Sequence, residues 1–231
     1  MHITAPLSPS QVDALESHQL ASMIDHTLLA PTATAQDIDK LCDQAATFET
    51  ASVCVQPVWV AHAAKRLADS PVKICTVIGF PLGSHTPETK SFETAQAIAH
   101  GAEEVDMVIN QSAALVADRS MLVQDITAVV DVAADHEVLV KVIIEAAALT
   151  DQAKRLACEA AVEAGADYVK TSTGFGPGGA TVADVALMRQ VVGEALGVKA
   201  SGGIRTRQDA DEMLKAGATR LGASSTYAIL S

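Results

Sequence analysis

The sequence predicts an α/β protein: one closed (β/α)8 barrel of the TIM type, a single domain spanning residues 1–231, with a short helix ahead of the first strand. Three observations lead there. Short Val- and Ile-rich runs alternate with stretches of helical periodicity, no linker or low-complexity break divides them, and a degenerate repeat recurs where helices give way to strands. Such a barrel commonly takes about 250 residues, so the length requires no second domain. An open doubly wound sheet shares the alternation and remains the alternative, because periodicity does not reveal closure.

The apolar runs lie at 52–55, 72–80, 104–109, 138–144, 168–171, 198–201 and 220–223, and 22–28 is a weaker first member. That makes eight strand candidates. Helical spacing of apolar residues fills segments between them, as at 35–48, 86–99, 121–134 and 182–196. Helix starts are marked by a hydroxyl three residues ahead of an aspartate, at Thr34 and Asp37, Thr181 and Asp184, and Thr206 and Asp209. Thr86 before Pro87 offers the same entry, with proline at the first helical position.

The repeat reads G-A-E-E-V-D from Gly101, G-A-D-Y-V-K from Gly165 and G-A-T-R-L-G from Gly217. Each glycine follows a helical stretch and is placed to cap it. Five residues further on stand Asp106, Lys170 and Gly222, on strands four, six and eight by this count. Alternate strands feed one side-chain layer of a barrel, so Asp106 and Lys170 are expected to meet near the strands' C-terminal ends, where barrel active sites lie.

Hydrophobic residues make up 49% of the chain and charged ones 19%, which suits a packed globular core, while aromatics reach only 3%. The core must then be built from Ala, Val, Leu and Ile. With 16 basic against 28 acidic side chains the formal charge is -12, which disfavours nucleic acid as a partner. A small anion can still bind where cations are locally concentrated. Cys42, Cys54, Cys75 and Cys158 lack metal-ligand spacing and suit a reducing compartment. No export leader and no apolar run of about 18 residues is present, so a soluble, cytoplasmic protein without a membrane partner is expected.

Three lysines fall on predicted strands: Lys141 in V-L-V-K-V-I-I-E, Lys170 in Y-V-K-T-S-T-G and Lys199 in V-K-A-S-G-G. Both faces of such strands are buried, so each ammonium costs desolvation energy unless it is paired or extends its head out of the strand end. A lysine nucleophile must be neutral, and burial with a neighbouring ammonium favours that state. Lys170 and Lys199 supply that mutual effect if strands six and seven adjoin. Asp106 is the leading partner, either as an ordinary ion pair or as a proton relay with Lys199. Asp25 at the end of the first strand is expected to position others, His26 to be structural and Cys54 to be a small buried hydrophobe. Glycine-rich turns follow Lys170, Lys199 and the last strand; plain turn chemistry explains any one of them, but Gly202, Gly203, Ser224 and Ser225 fall where barrels often bind phosphate.

The stretches I-D-H-T-L-L, S-V-C-V, E-V-D-M-V-I-N, L-V-K-V-I-I-E, A-G-A-D-Y-V-K-T-S-T-G-F, S-G-G-I-R-T and L-G-A-S-S, running from Ser22 to Ser225, resemble the deoxyribose-phosphate aldolase family. The resemblance implies a class I aldolase without cofactor or metal, which cleaves 2-deoxy-D-ribose 5-phosphate to D-glyceraldehyde 3-phosphate and acetaldehyde. It implies that Lys170 is the Schiff-base lysine and that Asp106 and Lys199 are its proton-relay pair. Thr173, Gly174, Gly202, Gly203, Ser224 and Ser225 match sugar and phosphate contacts. A homodimer is compatible with it. Some family members end in a tail bearing a terminal tyrosine, and Tyr227 is not placed to serve as one.

Three rivals share parts of this pattern. Another Schiff-base aldolase or a transaldolase would use Lys170 on a different donor. A metal-dependent aldolase would need clustered histidines, which are scattered here. A sugar-phosphate-binding protein would keep the glycine turns and gain nothing from three strand lysines.

Overall fold

The computed structural model describes residues 5–231. Eight parallel strands close into a barrel in sequential order: β1 (Ile24–Leu28), β2 (Ser52–Val55), β3 (Lys73–Ile78), β4 (Glu104–Val108), β5 (Leu139–Ile143), β6 (Tyr168–Lys170), β7 (Gly197–Ser201) and β8 (Arg220–Ala223), which pairs back with β1. Closure removes the open-sheet alternative. Around it lie α1 (Pro9–Asp13), α2 (Ser17–Ala21), α3 (Ala35–Phe48), α4 (Val60–Arg66), α5 (Pro87–Ala99), α6 (Gln111–Leu115), α7 (Arg119–Ala134), α8 (Asp151–Glu163), α9 (Val182–Val192), α10 (Arg207–Lys215) and α11 (Thr226–Leu230).

The expected caps are in place. Thr34, Thr86, Thr181 and Thr206 each accept a backbone N–H from the first turn of α3, α5, α9 and α10. Gly101, Gly165 and Gly217 each stand two residues past the end of α5, α8 and α10, all with positive φ, and so free the chain to turn into the following strand. Boundaries move where local chemistry overrides periodicity. The helix expected over 182–196 stops at Val192 because Gly193 takes φ 55°. The one expected over 121–134 starts earlier because Asp118 caps Met121. Two short helices, not one, precede β1.

Strand alternation divides the core in two. Val53, Ile74, Val105, Met107, Val142, Val169, Val198 and Leu221 face the helices and join one large apolar cluster. The barrel interior holds only a small one, built from Leu29, Cys54, Cys75 and Val77. Most of the remaining interior is polar or charged, including Asp25, Glu104, Asp106, Lys141, Lys170, Lys199 and Arg220. At the lower end the ring of Tyr168 fills space that Gly197 leaves open, since a Cβ there would lie 2.1 Å from Tyr168 Cε1. Arg220 rests over the same ring, 5.7 Å from its centroid. No helix among the described residues is long and apolar enough to cross a membrane.

Candidate active site

Lys170 and Lys199 are level in the register of neighbouring strands β6 and β7. Their ammoniums converge on one oxygen, Asp106 Oδ2, each at 2.7 Å. Asp106 comes from β4, and its other oxygen accepts from Lys141 at 2.9 Å and from the Cys75 thiol at 3.3 Å. The shared layer expected for Asp106 and Lys170 is therefore present. Of the three lysines only Lys170 borders the cavity at the barrel mouth, while Lys141 and Lys199 are fully buried beneath it.

A second tier of charge supports the first. Asp25 is ion-paired with Lys199 and receives Arg220 Nη1 at 2.9 Å, and Glu104 pairs with Lys141 at 2.6 Å and Arg220 at 3.2 Å. Burial alone would raise the Asp106 carboxyl, but Lys141, Lys170 and Lys199 outweigh it and hold Asp106 well below the usual carboxylate range. Asp25 is likewise lowered against its burial, by Lys199, Arg220 and Lys141. Burial would lower Lys199, yet Asp106 and Asp25 raise it, so the expected depression by a neighbouring ammonium does not hold there. Lys199 is a fixed cation. Among the described residues this interior network counts four cations, Lys141, Lys170, Lys199 and Arg220, against three carboxylates, Asp25, Glu104 and Asp106. Of these cations, Lys170 is the one that borders the cavity.

The cavity measures about 470 Å³ and is walled by the loops after β1, β6, β7 and β8, with Lys170 at its base. Thr173, Gly174, Gly202, Gly203 and Ser224 line it, as expected, together with Phe175, Ser201, Arg205 and Gly222. Gly202 and Gly203 both adopt φ 86°, a conformation open to glycine, and nothing lies within 4 Å of where a Cβ on Gly203 would project. The backbone there is bare to an incoming ligand. Ser225 stands just behind Ser224 at the start of α11 and is not on the wall. Asp25, expected among the positioning groups, is fully buried under the lysines and does not reach the cavity. His26 is structural as expected, bonded to Gln44 at 3.0 Å and Thr226 at 2.8 Å. A larger groove of about 900 Å³ lies outside the barrel between α5 and α7, away from these lysines.

Several members of the site carry no sequence signal. Glu145 takes φ 53° beyond β5 and accepts the Thr173 hydroxyl, with the Thr173 N–H 3.4 Å away, tying down the loop that follows Lys170. Arg220 and Glu104 are ordinary charged residues in sequence and become visible only when the barrel closes. Cys75 lies opposite Cys54 in the β2–β3 register, a proximity that their separation along the chain conceals.

A family model described as DeoC/LacD family aldolase matches residues 19–229. The chain belongs to that family. Deoxyribose-phosphate aldolase 1 of Bacillus licheniformis is 58% identical over 92% of this chain and 95% of its own length. A deoxyribose-phosphate aldolase of Halalkalibacterium halodurans is 59% identical over 93% of this chain and 96% of its own. Among solved structures, a deoxyribose phosphate aldolase from Aeropyrum pernix, described as a unique tetramer, superposes with a TM-score of 0.90 at 35% identity, covering 96% of this chain and 94% of that one. The DeoC/LacD matches bear out the resemblance read from the lysine and glycine motifs.

Proposed function

We propose that this chain is a class I aldolase that reversibly cleaves 2-deoxy-D-ribose 5-phosphate to D-glyceraldehyde 3-phosphate and acetaldehyde through a Schiff base on Lys170. The observation that carries the reading is the convergence of Lys170 and Lys199 on Asp106 Oδ2, with Lys170 at the base of the cavity at the barrel mouth. The substrate class is supported by relatives of nearly the same length that bear that activity in their names.

In this reading neutral Lys170 adds to the C1 aldehyde of the open-chain sugar, and loss of water gives an iminium. The iminium carries its positive charge beside Asp106, the carboxylate that Lys170 already contacts, and serves as the electron sink for the bond to be broken. A base acting through Asp106, Lys199 and water removes the C3 hydroxyl proton. The C2–C3 bond breaks, its electrons flow into the iminium, and D-glyceraldehyde 3-phosphate leaves. Lys199 and Asp106 return a proton to the enamine carbon, and hydrolysis frees acetaldehyde and Lys170. Gly202, Gly203 and Ser224 are assigned to the phosphate and Thr173 and Gly174 to the sugar, with Arg205 nearby to meet the anion, while Ser225, off the wall, is left to begin α11. Asp25 positions Lys199 from below.

The cytoplasm and a homodimer complete the proposal. The four free, buried thiols support a reducing location, and exposed Val58, Leu82, Phe92 and Val116 offer apolar surface for self-association. The deciding experiment is borohydride reduction in the presence of acetaldehyde, followed by peptide mass mapping. A reduced two-carbon adduct is expected on Lys170 and none on the Lys170→Leu variant. Equal labelling of that variant overturns the assignment.

A further inference from the structure

Two thiols stand in the barrel interior with no part in the aldol chemistry. Cys54 on β2 and Cys75 on β3 are paired in the parallel register, and both side chains are fully buried. Cys75 reaches Asp106 Oδ1 at 3.3 Å and accepts from the Lys141 ammonium at 3.4 Å. One ligand atom from each of Cys54, Cys75 and Asp106 lies within 4.8 Å of the other two. Around a tetrahedral zinc ion, bonds of about 2.3 Å to sulfur and about 2.1 Å to oxygen set donors roughly 3.5–3.8 Å apart. A modest contraction of three side chains would enclose an ion.

The donor set is soft, two sulfurs and one carboxylate, which selects zinc-like and cadmium-like ions over magnesium or calcium. Charge favours the exchange. Binding releases one proton from each thiol and admits one divalent cation, so the net charge of the packed interior does not change. The Lys141 ammonium already faces Cys75 and stays paired to Glu104 at 2.6 Å, where it would stabilise the new thiolate. Leu29 belongs both to the interior cluster holding Cys54 and Cys75 and to the wall of the cavity, so an ion entering from the cavity must displace that side chain.

We propose that Cys54, Cys75 and Asp106 form a binding site for a thiophilic divalent cation, of the zinc and cadmium class, whose occupation silences the enzyme. An ion bound through Asp106 Oδ1 draws the carboxylate's charge away from Lys170 and Lys199, which share Oδ2, and so disables the proton relay. Binding stands on the donor geometry alone, whereas silencing rests on the aldolase reading above.

The test is titration of the full chain with Cd2+ in a phosphine reductant, read by the ultraviolet thiolate-to-cadmium charge-transfer band and by cleavage of 2-deoxyribose 5-phosphate. One ion per chain is expected, with the band and a fall in turnover of about 10²-fold or more, the share a proton relay supplies, reversed by a chelator. The Cys54→Ala variant should turn over normally without metal, bind Cd2+ at least tenfold more weakly and escape inhibition, and Cys75→Ala should lose the band as well. An unchanged band in both variants would assign the ion to Cys42 or Cys158 and overturn the site, and equal inhibition of Cys54→Ala would overturn the silencing. A normal Cd2+ band on a wild-type chain that cleaves no substrate even with chelator would count against the aldolase reading and leave the site standing.

Discussion

Lys170 and Lys199 sit opposite each other on β6 and β7 and share a single acceptor, Asp106 Oδ2, at 2.7 Å each. Asp106 and Asp25 hold Lys199 as a cation against its burial, so the shared oxygen sets Lys170 beside a fixed ion pair.

Replacing Lys199 with Met removes one of the two ammoniums that share Asp106 Oδ2. Turnover should fall by about 10²- to 10⁴-fold while borohydride still fixes the acetaldehyde adduct on Lys170. Adduct lost in step with turnover in a folded variant would place Lys199 in Schiff-base formation and not in proton transfer.

Asp106→Asn should slow cleavage by about 10²- to 10⁴-fold, the usual worth of a positioned acid or base. It also removes a carboxylate shared by three buried ammoniums, of which Lys141 keeps Glu104 and Lys199 keeps Asp25. Breaking a buried pair by removing one side costs about 3–5 kcal/mol, so urea denaturation should show a stability loss alongside the kinetic one. Unaltered stability would mean the lysines relax to other partners.

Arg220→Met separates support from chemistry. Arg220 holds Asp25 and Glu104 below the lysines and does not border the cavity. A loss of about 3–5 kcal/mol in unfolding free energy is expected, with Lys170 still labelled by acetaldehyde and borohydride. Loss of labelling in a folded variant would show that Arg220 reaches the reaction.

Acid should unfold the barrel through Asp106 and Asp25. Both pKa values are depressed in the fold, so their contribution is complete above the unfolded value of about 3.9 and is lost as pH falls through the folded ones. Lys141 and Lys199 are raised, so theirs is complete below about 10.4 and is lost only as pH climbs toward the folded values. Unfolding free energy from these groups should be flat between those limits. A stability maximum confined to one side of neutrality would contradict this.

Gly203→Ala tests the anion loop. A Cβ there meets no neighbour and projects from a backbone at φ 86°. KM should rise about tenfold, equivalent to about 1.4 kcal/mol, with kcat little changed. A change in kcat alone would move Gly203 from binding to chemistry.

Sequence pattern carried much of this molecule. Hydroxyl caps, the three repeat glycines and the strand lysines are local signals, and each survives folding because it satisfies a local requirement of the backbone or of charge. Helix α8 was fainter, since its buried face is largely alanine, Ala153, Ala157, Ala160 and Ala161, which contrasts little with its surroundings. Of the tier beneath the lysines the sequence singles out Asp25, whereas Glu104 and Arg220 are not legible, because the three lie on strands one, four and eight and meet only through closure. The Cys54 and Cys75 pair is hidden for the same reason.

Tyr168, seated in the space that Gly197 vacates and covered by Arg220, stops the barrel like the base of a flask. Lys170 meets its cavity on the opposite side, at the mouth. In the proposed cleavage the three-carbon phosphate stands between Lys170 and the neck, and the two-carbon piece is still tethered to the lysine behind it. Departure is therefore sequential, with the phosphorylated fragment leaving first and acetaldehyde last.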